Sequence, residues 1–230
     1  DSLKDFYKRD SYVDEYHVIS PYIEKDLRNL TTKPITYIPF WVNESIWFNI
    51  PDKSNLRKKY NIDEKSYLIG SFQRDTEGSD LKSPKLIKGP DRFIEIVKSK
   101  KDDIKNLKVV LTGKRRQYVI SELEKLNIDY VYLEMVTFEE LNELYNILDL
   151  YIVSSRIEGG PQAVVECGIT KTPIISTDVG FATDILSSES IFDMSNYKDA
   201  APNINYAYEK SLELSIPKGF QKFTNLIFSK

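Results

Sequence analysis

Apolar positions along this chain fall into short runs set between longer segments with a helical repeat. The runs are 67–72 (YLIGSF), 107–113 (LKVVLTG), 130–133 (YVYL), 148–153 (LDLYIV), 173–177 (PIIST) and 190–192 (SIF). Each is too short for a helix and is bounded by turn-forming residues, which predicts a buried strand. Between them, 90–100, 115–126, 138–147 and 163–169 repeat with a helical period, with Phe93, Ile94 and Val97 on the inner face of the first. Thr137 and Glu140 form a capping box at the start of the third. Six strands alternating with helices, and no hairpin signal, predict an α/β fold: a doubly wound, six-stranded parallel sheet with right-handed crossovers.

The flanks carry the same pattern more weakly. Residues 15–20 and 34–39 read as strands on either side of a helix at 21–30, with Ser20 as its N-cap and Pro21 in its first position. His17 lies in the first of these strands and reads as a structural hydrogen-bonding residue. An aromatic crossing segment, 40–48, leads to a short basic helix at 54–60, and residues 199–214 and 218–228 read as two final helices. Residues 1–13 show no period. The long polar loop 73–90 follows the first main strand, where open α/β sheets bind ligands, and its length marks it as functional or mobile.

Composition narrows the function. With 230 residues, 41% hydrophobic and 29% charged, the chain suits one soluble domain plus extra elements. A net charge of −3 lacks the basic excess of a nucleic-acid binder, and most lysines and arginines read as solvated helix faces. One cysteine excludes a disulfide framework, and one histidine excludes a histidine metal cluster. Cys167 reads as a small buried hydrophobe. No run reaches the ~20 apolar residues of a membrane helix. The chain begins at Asp1, so a fragment of a longer protein is expected.

Residues 151–185 concentrate the chemistry: a strand, a polar loop with Arg156 and Glu158, then Gly159, Gly160 and Pro161, a helix and the next strand. Pro161 reads as the first helical residue, where its missing N–H costs nothing. The free amides of Gly160 and Gln162 then sit at the positive end of a helix dipole, a place that binds anions, phosphate above all. Gln162, Glu166 and Thr170 recur at helical spacing as one polar stripe, which as a local pattern is equally the solvated face of an ordinary surface helix.

Glu158-GGPQAVV-Glu166 resembles the E-x(7)-E signature of the family 4 retaining glycosyltransferases, which have the GT-B fold. The upstream Ser154-Ser155 and the downstream TPIISTDVG fit that family too, although it more often reads EGFGLP between the glutamates. The resemblance implies a Rossmann-like C-terminal half of a GT-B fold. It implies residues 51–200 as the nucleotide-sugar-binding domain, 1–50 as a remnant of the N-terminal acceptor domain with the interdomain linker, and 201–230 as C-terminal helices. The family's Arg…Lys-Gly element, which holds the donor diphosphate, maps onto Arg74 and Lys88. Lys82 and Lys85 are rivals for that role but read better as solvated loop residues. The base pocket maps onto Leu133, Met135 and Val136, for which plain core packing is an equal reading. Arg156, Asp178 and Asp184 are weaker candidates for the cleft.

Sugar transfer from a nucleotide sugar requires a stabilised diphosphate leaving group, an oriented sugar and exclusion of water. Arg74 and Lys88, with the amides around Gly159, Gly160, Gln162 and Ala163, suit the first task. Glu166 suits the ribose diol, and Glu158 the sugar hydroxyls or the charge developing at the anomeric carbon. No Asp-x-Asp motif is present, so no essential divalent ion and no cofactor beyond the donor substrate are expected. The expected partners are a UDP- or GDP-linked sugar and a glycan or lipid-linked glycan acceptor. The expected setting is the cytoplasm or the inner membrane face. Two carboxylates could also serve a hydrolase, but the glycine-proline helix start favours phosphate. A GT-B nucleotide-sugar epimerase and a non-catalytic interaction module of the same fold stay open. A dinucleotide dehydrogenase is disfavoured because GSFQRD lacks the glycine fingerprint.

Overall fold

The computed structural model describes residues 2–228. From the N-terminus, α1 (Leu3–Asp10) leads to β1 (Tyr16–Val18), α2 (Pro21–Arg28) and β2 (Ile35–Tyr37). β1 and β2 pair in parallel as a small sheet of their own. After α3 (Lys53–Lys59) come β3 (Tyr67–Ser71), β4 (Thr76–Glu77) and β5 (Ser83–Pro84), then α4 (Pro90–Asp103), β6 (Leu107–Thr112), α5 (Gln117–Lys125) and β7 (Asp129–Leu133). The chain continues through α6 (Phe138–Ile147), β8 (Leu150–Val153), α7 (Gln162–Thr170), β9 (Ile174–Thr177), α8 (Ala182–Ile185), β10 (Ile191–Phe192), α9 (Ile204–Leu212) and α10 (Lys218–Phe228).

The main sheet has six strands in the order β10-β9-β8-β3-β6-β7, and every pairing is parallel. Its central strands are buried on both faces, as parallel sheets require. In β8, Leu150 and Ile152 face a core shared with Phe93, Val97, Val119 and Leu123 of α4 and α5. Tyr151 and Val153 face the opposite core, with Leu144, Val164 and Val165 of α6 and α7. Helices therefore cover both faces, and the predicted doubly wound α/β architecture is the observed one. Chain order along the sheet runs outward in both directions from the β3–β8 pair. That reversal is the switch point where such sheets leave a crevice beyond the carboxyl ends of their strands.

Several local expectations are corrected. The loop 73–90 does contain a hairpin: β4 and β5 pair antiparallel, Thr76 opposite Pro84 and Glu77 opposite Ser83. Strands of two residues are too short to show an alternating pattern. Residues 1–13 hold α1, capped by the Ser2 side chain accepting from the Asp5 N–H. α5 begins at Gln117, because Arg115 takes a left-handed conformation (φ 62°). α9 begins at Ile204, behind an Asn203 cap. Pro161 is the N-cap of α7 and not its first residue; its ψ of 103° is extended. Not every cation lies on a solvated face. Arg57 of the basic helix is buried and donates to the carbonyls of Glu64, Ser66 and Ile147. Arg116 is wholly buried.

Candidate functional site

The two strands at the switch point deliver side chains to one place. β3 ends in Phe72 and Gln73, and β8 ends in Val153 and the loop to Glu158. Together with α6 and the start of α7 they line a cavity of 570 Å³. Its walls are aromatic, from Phe40, Phe72, Phe138, Tyr145 and Tyr151. Its polar groups are few: Gln73, Lys88, Glu158, Gln162 and Glu166. A largely apolar cavity with a small set of convergent polar groups is the usual form of a small-molecule site. A second cavity of 240 Å³, under the crossing segment, shares Phe40, Phe138, Gln162 and Glu166 with it. A polar cavity of 380 Å³ beside Lys101, Lys105 and Asn127 contains none of the expected site residues.

Lys88 is placed by backbone geometry. It ends a short 3-10 turn, and Gly89 follows with φ 62°. A Cβ on Gly89 would stand 1.9 Å from the Ser154 carbonyl oxygen, so only glycine lets this turn lie on the end of β8. The Ser154 hydroxyl donates to the Gly89 carbonyl at 2.8 Å. Lys88 Nζ reaches Glu158 Oε2 at 2.5 Å, with the two side chains 26% and 11% exposed. Ser155 Oγ lies 2.8 Å from Glu158 Oε1 and 3.1 Å from Gln73 Oε1, so its one proton serves either. Gln73 Nε2 donates to the Lys88 carbonyl at 2.8 Å. Four side chains from three segments thus form one polar group at the cavity wall.

The glycine loop is held from behind. A Cβ on Gly160 would meet Phe181 at 2.6 Å and Phe40 at 3.1 Å. Among the described residues, the N–H groups of Gly160, Gln162 and Ala163 have no protein acceptor. They are the free amides of a helix start, as such termini require. The polar stripe of α7 runs inward from an exposed Gln162. Thr170 is buried, and Glu166 is half-buried at the cavity wall. The Tyr145 hydroxyl donates to Glu166 Oε2 at 2.7 Å. Burial pushes the Glu166 carboxyl up to about 7, an effect the Tyr145 hydrogen bond only partly offsets.

Of the expected site residues, Lys88, Glu158, Gly160, Gln162, Ala163 and Glu166 line the cavity together. Gly159 lies just outside, with Ile19 and Ile23 over it. Arg74 is not in the wall: it is exposed, and its Nε donates to the Thr76 carbonyl at 3.2 Å. Its neighbour Gln73 takes the place beside Lys88. Met135 is 74% exposed and Val136 packs against the core, so neither lines the cavity; Leu133 also packs in the core. Arg156 forms a two-bond ion pair with Asp91 at 2.8 and 2.6 Å. Asp184 accepts from the Tyr37 hydroxyl at 2.5 Å, and Asp178 is hydrogen-bonded to Tyr22, whose phenol is pushed up to about 12 by that bond above all. These two aspartates join the N-terminal segment to the main sheet. Lys82 is exposed and outside the wall, and Lys85 is also outside it.

Sequence reasoning missed Gln73, Ser155 as a partner of Glu158, and the aromatic walls. Tyr145 lies within the predicted helix 138–147, where no role was assigned to it. Gln73 had a signal, since it follows the first strand directly at its carboxyl end.

Residues 52–217 match the family profile described as Glycosyl transferases group 1. The alpha-galactosylglucosyldiacylglycerol synthase of Streptococcus pneumoniae is 22% identical over 194 residues, 79% of this chain and 47% of that protein. The chain thus spans about half the length of this curated relative. Among solved structures, Anabaena Alr3699/HepE in complex with UDP and glucose superposes with a TM-score of 0.78 at 13% identity, over 100% of this chain and 68% of the other. The sucrose-phosphate synthase of Thermosynechococcus elongatus gives 0.73 at 15% identity, over 94% and 58%. At these identities the structural likenesses establish the fold.

Proposed function

Because this chain belongs to the group 1 glycosyl transferases, with the fold of a GT-B C-terminal domain, we propose that it supplies the donor site of a retaining, metal-independent hexosyltransferase. The observation that carries this reading is the meeting of Lys88, open amides of a helix start, Glu158 and Glu166 in one cavity at the sheet's switch point. Residues 51–200 would be the donor-binding unit, 1–50 the acceptor-side remnant and linker, and 201–230 the closing helices.

The roles follow from chemistry. Lys88 and the amides of Gly160, Gln162 and Ala163 stabilise the diphosphate as negative charge develops on it. They supply the positive field that a divalent ion would otherwise provide. Glu166 accepts from the ribose hydroxyls, and Tyr145 fixes its rotamer. Glu158 faces the sugar. The aromatic walls exclude water from the reacting centre. The retaining outcome rests on the E-x(7)-E resemblance. A UDP-linked sugar is favoured because Alr3699/HepE binds UDP. A glycolipid acceptor is favoured because the streptococcal relative is named for such a product. With such an acceptor, the setting this reading favours is the cytoplasm, at or near the inner membrane face.

Calorimetric titration with UDP, GDP and their sugar conjugates, with and without magnesium, tests the reading. One nucleotide should bind without metal and be lost in Glu166→Ala. Binding of none, or binding only with magnesium, overturns it.

A further inference from the structure

The Lys88–Glu158 pair raises a conflict of charge. Among the described residues, Lys88 is the only ammonium group lining the cavity. It is paired, at 2.5 Å, with the carboxylate of Glu158. That carboxylate is held in turn by Ser155 at 2.8 Å, while Gln73 fixes the backbone of Lys88 at 2.8 Å. A diphosphate drawn to the same ammonium meets the Glu158 carboxylate already beside it. Two anions a few ångströms apart in a partly desolvated cavity repel strongly. Donor entry must therefore break or stretch the Lys88–Glu158 contact.

We infer that Glu158 is an internal anion that stands in for the donor diphosphate on Lys88, with Ser155 and Gln73 as the positioning residues that keep it there. The inference rests on the donor-site reading above and deepens it. Donor binding is then an exchange of one anion for another. The exchange frees the Glu158 carboxylate when the sugar arrives, so the group that faces the sugar is released by the phosphates that carry it. It also sets affinity: the protein gives up an ion pair and a hydroxyl hydrogen bond for each diphosphate it admits. The pair neutralises Lys88, so a stray monoanion meets a compensated ammonium there.

The distinguishing measurement is the sign of one substitution. A residue that only helps to bind the donor weakens binding when altered, whereas an internal competitor strengthens it. The full chain, its Glu158→Gln and Ser155→Ala variants, and Lys88→Ala in both the parent and Glu158→Gln backgrounds are titrated with UDP, inorganic pyrophosphate and uridine, and each fold is checked by circular dichroism. Glu158→Gln is expected to bind UDP and pyrophosphate about threefold to tenfold tighter, the range for one partly exposed ion pair. Ser155→Ala should shift affinity the same way by less, and uridine affinity should not move. Lys88→Ala should abolish the gain. If the parent binds UDP and folded Glu158→Gln binds it equally or more weakly, the inference is overturned while the donor reading stands. If tighter binding extends to uridine, the effect is one of cavity shape and the inference is likewise overturned. If neither protein binds UDP or pyrophosphate, the donor reading falls and takes the inference with it.

Discussion

Two of the cation–carboxylate pairs beyond the carboxyl ends of the central strands differ in what surrounds them. Arg116 and Asp75 meet at 2.5 Å with side chains 0% and 2% exposed. Arg116 also donates to the carbonyls of Ser71 and Thr112 at 2.6 and 3.0 Å, and Asp75 accepts from Thr76. Burial raises the Asp75 carboxyl even with the guanidinium beside it. This pair is sealed, with its donors spent on the ends of β3 and β6 and on the hairpin insertion. Lys88 and Glu158 are as close but stand at a cavity wall, 26% and 11% exposed. A flexible ammonium with spare donors, facing open space, can change partners; a planar guanidinium locked to carbonyls cannot. Proximity alone does not separate structure from function here. The room left beside the pair does.

The comparison breaks most severely at the sealed pair. Asp75→Ala strands the Arg116 charge and should cost about 3–5 kcal/mol in a denaturant unfolding curve. A loss below about 1 kcal/mol would show that water enters the site and that the pair is not sealed. Lys88→Ala should do the reverse. It should change stability by less than about 1 kcal/mol and weaken UDP binding at least about tenfold, since it removes a charge-assisted bond; equal affinity in calorimetry would remove Lys88 from the site.

A pH series sharpens the contrast further. The Glu166 carboxyl is raised from an ordinary 4.5 to about 7, so the folded protein holds a proton that the unfolded chain releases. The stability this contributes is complete below about 4.5 and is lost as pH rises through about 7. Thermal melts should show that decline in the parent and a flatter profile in Glu166→Gln. UDP affinity should rise over the same interval as the carboxylate forms and accepts from the ribose. A parent profile that matches Glu166→Gln would contradict both. The smallest effect belongs to Arg74→Ala, whose side chain is exposed and bonded to its own loop. UDP affinity should change by less than about threefold; a tenfold loss would return Arg74 to the site.

Much of this fold was legible because burial on both faces of a sheet leaves a local trace. The runs at 107–113 and 148–153 could be nothing but core. Glu166 and Lys88 were legible through motif and spacing. The stripe of α7 was ambiguous for a physical reason: a cavity wall needs polar groups just as an outer surface does, and periodicity does not distinguish the two. Arg116 and Asp75 were illegible because their partnership spans 41 residues and no local pattern records it. The aromatic walls looked like core because Tyr145 is core on one side and cavity on the other. Arg74 and Gln73 differ by one position, and in an irregular loop nothing in the sequence says which of two neighbours turns inward.

Gly160 is pressed by Phe181, which is fully buried, and by Phe40, which is not. Phe40 belongs to the crossing segment between β2 and α3, so the ring behind the glycine loop rides on a connector. Phe40 is therefore a shim: its ring fills the space that a Cβ on Gly160 would need, so the loop after β8 is gauged by a side chain from outside the main sheet.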